Sequence, residues 1–253
     1  MTTTYDAIGT TYSYHRRSDP RIGAAIVTGL GDAVTVLNVG AGSGSYEPAD
    51  RSVVAVEPSS VMIAQREPGA APCVRACAEW LPVATNAVDA VLAVLTLHHW
   101  SDWSQGLREC ARVARRRVVI LTWDPASDGF WLTRDYFPEI VDVDRRIFPS
   151  IGDISRTLGD LQTTRVSIPN DCTDGFFGAY WQRPEAYLDA AVRSGMSTFS
   201  RVGDPEARLT RLRQDLGSGE WARRNGDNLG KTELDIGYRL LVAERTSLSR
   251  SVS

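Results

Sequence analysis

The passage that most constrains this chain is Val36-Leu37-Asn38-Val39-Gly40-Ala41-Gly42-Ser43-Gly44-Ser45, an apolar run that breaks into three alternate glycines. The run reads as a short buried strand. Glycines directly after it let backbone amides approach a ligand where a Cβ would intrude. A glycine-rich loop can also be merely flexible, and this spacing alone does not separate the two. The next strand does: residues 52–56 end in Glu57-Pro58, which sets a carboxylate at the same edge of a sheet. An acid there can accept hydrogen bonds from both ribose hydroxyls of a bound nucleotide. Which nucleotide is left open by the spacing.

The alternation of strand and helix continues on both sides. Asp19-Pro20 followed by Ile22, Ile26, Val27 and Leu30 reads as a helix with an Asp N-cap, Pro at its first position and Gly31 closing it. Val61, Met62, Ala64 and Gln65 suit a connecting helix, 73–76 a short third strand, and 87–95 a fourth. Asp102 caps a helix with Leu107, Cys110, Ala111 and Ala114 on one face, which Arg115-Arg116-Arg117 ends before a fifth strand at 118–122. Beyond Pro125 the pattern loosens into aromatic-rich segments, helical stretches near 184–195 and 204–216, and strands at 165–168 and 238–244. Apolar strands separated by helices predict a parallel sheet covered on both faces, with right-handed crossovers and ligands at the strands' carboxyl ends.

Composition narrows the partner. With 43% hydrophobic and 23% charged residues over 253, the chain reads as an ordinary globular protein, large enough for one core with an attached lid. No apolar run approaches the roughly 20 residues that span a bilayer, and the first residues lack signal-peptide features, so a cytoplasmic location is expected. A net charge of −3 gives no electrostatic reason to bind nucleic acid or an anionic membrane, which leaves a small molecule as the expected partner. Cys73, Cys77, Cys110 and Cys172 lack paired CxxC spacing and are expected to be buried thiols. Lys231 is the only lysine, which excludes a lysine from any site elsewhere.

Four segments, in order, resemble a known family: the Rossmann-like class of S-adenosylmethionine (SAM)-dependent methyltransferases, in its small-molecule branch with the methyltransferase type 11 pattern. They are the glycine turn at 40–44, Glu57-Pro58-Ser59 with Met62, Ala78-Glu79-Trp80-Leu81-Pro82, and Asp89 through Leu95-Thr96-Leu97-His98-His99-Trp100 into Leu107, Glu109 and Arg112-Val113. The resemblance implies an α/β fold, a doubly wound, mostly parallel seven-stranded sheet with a helical, aromatic-rich substrate lid. It implies SAM as the cofactor, with Gly40, Gly42 and Gly44 along its methionine part and Glu57 on the ribose. Pro58 and Met62 would flank adenine, the backbone of Ala78 and Glu79 would meet its edge, and Leu95 would lie near the sulfonium. Tyr5-Asp6-x-Ile8-Gly9 and the segment from Tyr12 to Arg16 are similar to the family's helix that closes over SAM, making Tyr12 and Arg16 candidate contacts; the alternative is a plain surface helix.

The sequence departs from the family twice. Cys77 stands where many relatives carry an Asp that accepts the adenine amino group, so that contact falls to the backbone. Arg115-Arg116-Arg117 stands where relatives often carry Pro-Gly-Gly.

Methyl transfer from a sulfonium is an in-line displacement, so alignment and exclusion of water matter most. Where the acceptor atom carries a proton, a base contributes typically about 10²- to 10⁴-fold. His98 and His99 are the candidates, with His98 the catalytic choice; the alternative is one ring bonded to backbone and the other exposed. Adjacent histidines without a Cys or carboxylate cluster at ligand spacing suggest no metal. Asp124 either faces the substrate or caps its own turn. Trp131, Tyr136, Phe137, Phe176, Phe177, Tyr180 and Trp181 form either an apolar acceptor pocket or the core of the lid.

The chain thus reads as an enzyme that moves a methyl group from SAM to O, N or C of a small, aromatic or hydrophobic, specialised metabolite. One alternative is a SAM-binding protein that does not methylate, a scaffold or a cyclase. Another is an NAD(P)-dependent oxidoreductase, which is disfavoured because Ser45 after Gly44 leaves no GxGxxG and no Tyr-x-x-x-Lys is present. The expected organisation is an N-terminal helical cap over the cofactor at 1–34, a SAM-binding core at 35–124, lid segments at 125–237 with one core strand near 165–168, and a last strand and tail at 238–253. The oligomeric state is left open.

Overall fold

A computed structural model describes residues 16–127 and 130–245. Tyr12 and the motif around Tyr5 lie outside the described residues. The first helix, α1 (Pro20–Leu30), begins as the sequence predicts: the Asp19 carboxylate accepts the Arg21 N–H at 3.0 Å, and Pro20 fills the first position. It ends at Gly31, whose N–H donates to the carbonyls of Val27 and Thr28 at 3.1 Å.

Seven strands build the main sheet. They are β1 (Thr35–Val39), β2 (Ser52–Val56), β3 (Cys73–Val74), β4 (Val88–Val94), β5 (Ala114–Trp123), β6 (Leu161–Arg165) and β9 (Tyr238–Glu244), in the order β3-β2-β1-β4-β5-β9-β6. The first five run parallel, while β9 is antiparallel to both β5 and β6. β7 (Ile168–Pro169) and β8 (Glu233–Leu234) pair separately. The alternation of strand side chains fills two layers. Val36, Ala90, Leu92, Val119 and Leu121 pack beneath Ile22, Ile26 and Leu30 of α1. Leu37, Val91, Ala93, Val118 and Ile120 pack beneath Leu107, Cys110 and Val113 of α3 (Trp103–Val113), whose N-cap is Asp102. The short α2 (Ser60–Ala64) follows β2.

Two expectations are corrected here. Arg115-Arg116-Arg117 does not end α3; it lies within β5, which begins at Ala114. The register slips between Val88↔Ala114 and Ala90↔Arg117, so the arginine run carries a bulge. Its side chains reach carboxylates around the strand bottoms, Arg115 to Asp89 (2.9 Å), Arg116 to Asp32 (2.6 Å) and Arg117 to Glu244 (3.3 Å), which is why a basic run tolerates a strand. The strand expected at 165–168 is two strands, β6 before it and β7 at its end, because the mostly exposed edge strand Leu161–Arg165 lacks the apolar run that marks buried strands.

Between β5 and β9 the chain forms a cap rich in aromatic residues. Its helices are α4 (Pro138–Ile147), α6 (Ala190–Ser194), α7 (Glu206–Gly217) and α8 (Glu220–Leu229), with a π-turn at Leu132–Tyr136, while α5 (Ile151–Leu158) packs Ile154 against α3 on the core. The sequence reading missed α4, α5 and α8. The signal for α5 was present, a capping box in which Ser150 and Asp153 bond each other's backbone. No described helix is long and apolar enough to cross a membrane.

Candidate cofactor and acceptor site

The carboxyl ends of β1, β2 and β4 open into a cavity of about 400 Å³. Gly40, Gly42, Glu57, Pro58, Met62, Ala78, Glu79, Leu95 and Arg16 all line it, although they come from six separate segments. Gly40 has φ +69°, and a Cβ there would collide with the Thr96 hydroxyl and stand 2.9 Å from Thr96 Cβ. Backbone therefore forms the floor where a side chain cannot. Gly44 is not on the lining, although Ser43, Ser45 and Tyr46 on either side of it are; it closes the turn, donating its N–H to the Ala41 carbonyl at 2.9 Å.

Glu57 is 5% exposed, and its two oxygens accept the N–H groups of Gly42 and Ser59, each at 2.9 Å. The carboxylate thus ties the glycine turn to the start of α2 and still faces the cavity. A buried ion pair that the sequence reading missed braces the back of the same turn. Arg66 Nη2 lies 2.8 Å from both oxygens of Glu47, and Arg66 Nη1 donates to the Gly42 carbonyl at 3.3 Å. Glu47 Oε1 also accepts from Asn38 Nδ2 at 3.1 Å, leaving Asn38 Oδ1 buried without a partner on the cavity wall. A backbone-floored cradle, a fixed carboxylate and an unpartnered buried acceptor fit a nucleoside bearing hydroxyl and ammonium donors.

Cys77 also lines this cavity and is exposed, and Cys73 is partly exposed, so only Cys110 and Cys172 are the buried thiols expected. The difference follows from β3 being a two-residue edge strand. Asp124 does not face either cavity; its carboxylate accepts the Ala126 N–H at 3.0 Å and caps the turn after β5.

A second, smaller cavity adjoins the first. Arg16 and Leu95 line both. Arg16 is held there by Asp174, with Nε 2.6 Å from Oδ1 and Nη2 3.3 Å from Oδ2. The Tyr46 hydroxyl, from the loop after the glycine turn, donates to Asp174 Oδ2 at 2.9 Å, so cap and cofactor cradle are joined through one buried carboxylate. Leu95 takes φ +50°, a conformation uncommon for a branched residue.

His98 sits on the second cavity and not the first; the turn Leu97–His99 that follows β4 keeps the two rings in contact, 3.8 Å between centroids, with His99 on the first cavity and His98 on the second. His98 stacks on Phe148 at 4.1 Å between centroids, and its Nδ1 is buried without a partner. Burial, then the charges of His99, Arg201 and Arg16, push its pKa well below 6.5, so the ring is neutral at physiological pH. His99 lines the first cavity, lies 3.3 Å from Arg201 Nη2, and is pushed down to about 3, first by burial and then by Arg201.

Of the aromatic residues singled out from the sequence, only Phe176 and Phe177 line this second cavity; Trp123, Phe148 and Tyr238 complete its walls. Trp131, Tyr136, Phe137, Tyr180 and Trp181 pack within the cap instead. Trp131 donates its indole N–H to the Trp181 carbonyl at 2.7 Å and meets the rings of Tyr136, Tyr187 and Trp221 edge-on.

Sheet order, glycine turn and strand-end carboxylate together define a nucleoside-binding doubly wound fold. A family profile described as a methyltransferase domain matches residues 37–122. A solved structure from Anabaena variabilis, described as a methyltransferase from an antibiotic biosynthesis pathway, is 34% identical, with a TM-score of 0.82 over 90% of this chain and 98% of that one. This chain therefore belongs to the class I, Rossmann-like SAM-dependent methyltransferases, whose cofactor is SAM. A SAM-dependent methyltransferase from Thermotoga maritima (15% identity, TM-score 0.55, 94% and 95% covered) and the (4+2)-cyclase SpnF (16%, 0.56, 95% and 94%) share the fold. No curated protein sequence matches the chain.

Proposed function

We propose that this protein transfers a methyl group from SAM, held in the larger cavity, to O, N or C of a small aromatic or hydrophobic metabolite whose reacting end enters the smaller one. The observation that carries the reading is that the two cavities meet at Arg16 and Leu95. SAM supplies an electrophilic methyl on a sulfonium. Gly40 and Gly42 receive its methionine part, Glu57 takes the ribose hydroxyls, Pro58 and Met62 flank the base, and the backbone of Ala78 and Glu79 meets its edge. The partly buried Leu95 and the buried aromatics Trp123, Phe176, Phe177 and Tyr238 around the junction limit the access of water to the reacting atoms. Where the acceptor atom carries a proton, neutral His98 takes it at Nδ1. The antibiotic-pathway description of the 34% identical relative supports an acceptor drawn from specialised metabolism.

Calorimetric titration with SAM, S-adenosylhomocysteine (SAH) and NADH tests the cofactor assignment. Micromolar binding of the first two, about −8 kcal/mol, is expected, with none of the third. Turnover of SAM to SAH in the presence of simple phenols, anilines and thiols then tests transfer. Binding of NADH alone overturns the reading.

A further inference from the structure

The smaller cavity holds a group that no sequence motif marks. Asp144, on α4, is 1% exposed and faces this cavity together with His98 and the rings of Trp123, Phe148, Phe177 and Tyr238. Its Oδ1 has no hydrogen-bond partner, and neither has His98 Nδ1 on the same wall. Leaving a buried polar atom unsatisfied costs about 1–3 kcal/mol, and folded proteins leave few. Two such atoms in one small aromatic cavity point to a guest that brings hydrogen-bonding groups. Arg201 is the cation whose field Asp144 feels, yet no arginine forms an ion pair with it among the described residues. Burial, only partly offset by Arg201, pushes the carboxyl up to about 7.

We propose that Asp144 is the polar anchor of the methyl acceptor: the acceptor's ring sits at the junction of the two cavities, and the Asp144 carboxyl accepts a hydrogen bond from a hydroxyl or amino group that the ring sends into the smaller one. The volume, about 50 Å³, holds one or two waters and is well below the roughly 150 Å³ of a cavity that takes benzene, so only the polar substituent enters here, while the ring lies where the cavity meets the larger one at Arg16 and Leu95. The walls are aromatic rings packed on one another, which leaves Asp144 and His98 as the polar groups for a guest to meet. Phe148 and His98 are stacked, while Trp123 presents its edge to Phe148 at 5.8 Å and to Phe177 at 6.3 Å. The inference rests on the reading above that the acceptor enters this cavity.

The test uses SAH-loaded protein with phenol, aniline and toluene as probes, the last matching the others in size without a donor. At pH 8.5, where the Asp144 carboxyl is ionised, wild type is expected to prefer phenol or aniline over toluene by about 10-fold or more, the worth of one hydrogen bond to a charged group. Asp144→Leu should bring the preference within about twofold while SAH affinity is kept, and Asp144→Asn, which retains an acceptor oxygen, should keep part of it. Equal affinity for phenol and toluene in wild type, binding of neither, or a preference that survives in Asp144→Leu overturns the proposal. If the Leu variant does not fold, the Asn variant decides, and an undiminished preference there has the same meaning. SAH titration of the same samples keeps the two readings apart. Loss of SAH binding in wild type would remove the cofactor assignment, whereas SAH binding without a phenol preference removes Asp144 alone.

Discussion

The two cavities are built by different means. The larger cavity is floored by main chain and short side chains delivered by strand ends: Gly40 after β1, Glu57 after β2, Leu95 and Thr96 after β4. Its shape follows from the sheet. The smaller cavity has no such frame, since its walls are side chains from residue 16, the β4 and β5 ends, α4, the 176–177 and 195–198 segments, and β9. The first cavity is a property of the backbone, and the second of a packing arrangement. A fold can therefore keep the cofactor while changing the acceptor by substitutions that never touch the sheet.

The contrast predicts where single changes are felt. Gly40→Ala should have the largest effect. It places a methyl group against Thr96 and forces alanine to a positive φ, each worth about 1–3 kcal/mol. SAH affinity should fall about 1000-fold by calorimetry, and Thr96→Ala in the same chain should restore only part of it, because the backbone strain is left. Full restoration would show that the floor is set by a side chain and not by backbone.

Asp144→Asn should act on stability, with a pH signature. The folded carboxyl is raised to about 7 from an ordinary value of 3.8, so the folded state holds a proton that the unfolded chain has released. Wild-type stability therefore falls as pH rises from about 4 to 7 on account of this group and is level above that. The amide variant should gain relative to wild type across that window, by up to on the order of 4 kcal/mol. His98 acts oppositely, costing stability below pH 6.5, but is common to both proteins and cancels in their difference. Melting curves between pH 4 and 8 that stay parallel would show that Asp144 ionises normally.

Glu57→Ala should weaken SAH binding about 10- to 100-fold, since a charged acceptor is worth about 1.5–3 kcal/mol. It also frees the Gly42 and Ser59 amides, so some loss of stability is expected beside the loss of affinity. Glu57→Gln, with one acceptor oxygen, should fall between. Unchanged affinity in both would take Glu57 out of the site.

The same division decides what was legible in the sequence. The glycine turn, Glu57 and the capped helices around them are local signals, readable because the apolar period and the capping residues lie within a few positions of each other. Even so, the Arg115–Arg117 run was misread, since its stabilising carboxylates Asp32, Asp89 and Glu244 are distant in sequence. Arg66 and Glu47 were missed for the same reason, and Asp144 because nothing beside it in the chain reveals that α4 carries it into an aromatic cavity. The aromatic pairs of the cap were legible as residues to be buried, but their division between pocket and core was not.

Trp131→Phe tests that division with the smallest of these effects. Trp131 is fully buried, bonds the Trp181 carbonyl and meets Trp221 at 5.3 Å, yet touches neither cavity. Removing the indole N–H orphans one buried carbonyl and leaves a small void, a cost of about 2 kcal/mol. For a chain of this length that lowers the melting temperature by roughly 4–8 °C. SAH affinity and the preference for phenol over toluene should stay within about twofold, because the void opens inside the cap and not toward the acceptor. A changed preference with unchanged SAH binding would mean that the acceptor reaches Trp131. The cap aromatics would then be one continuous pocket, and the acceptor larger than a single ring.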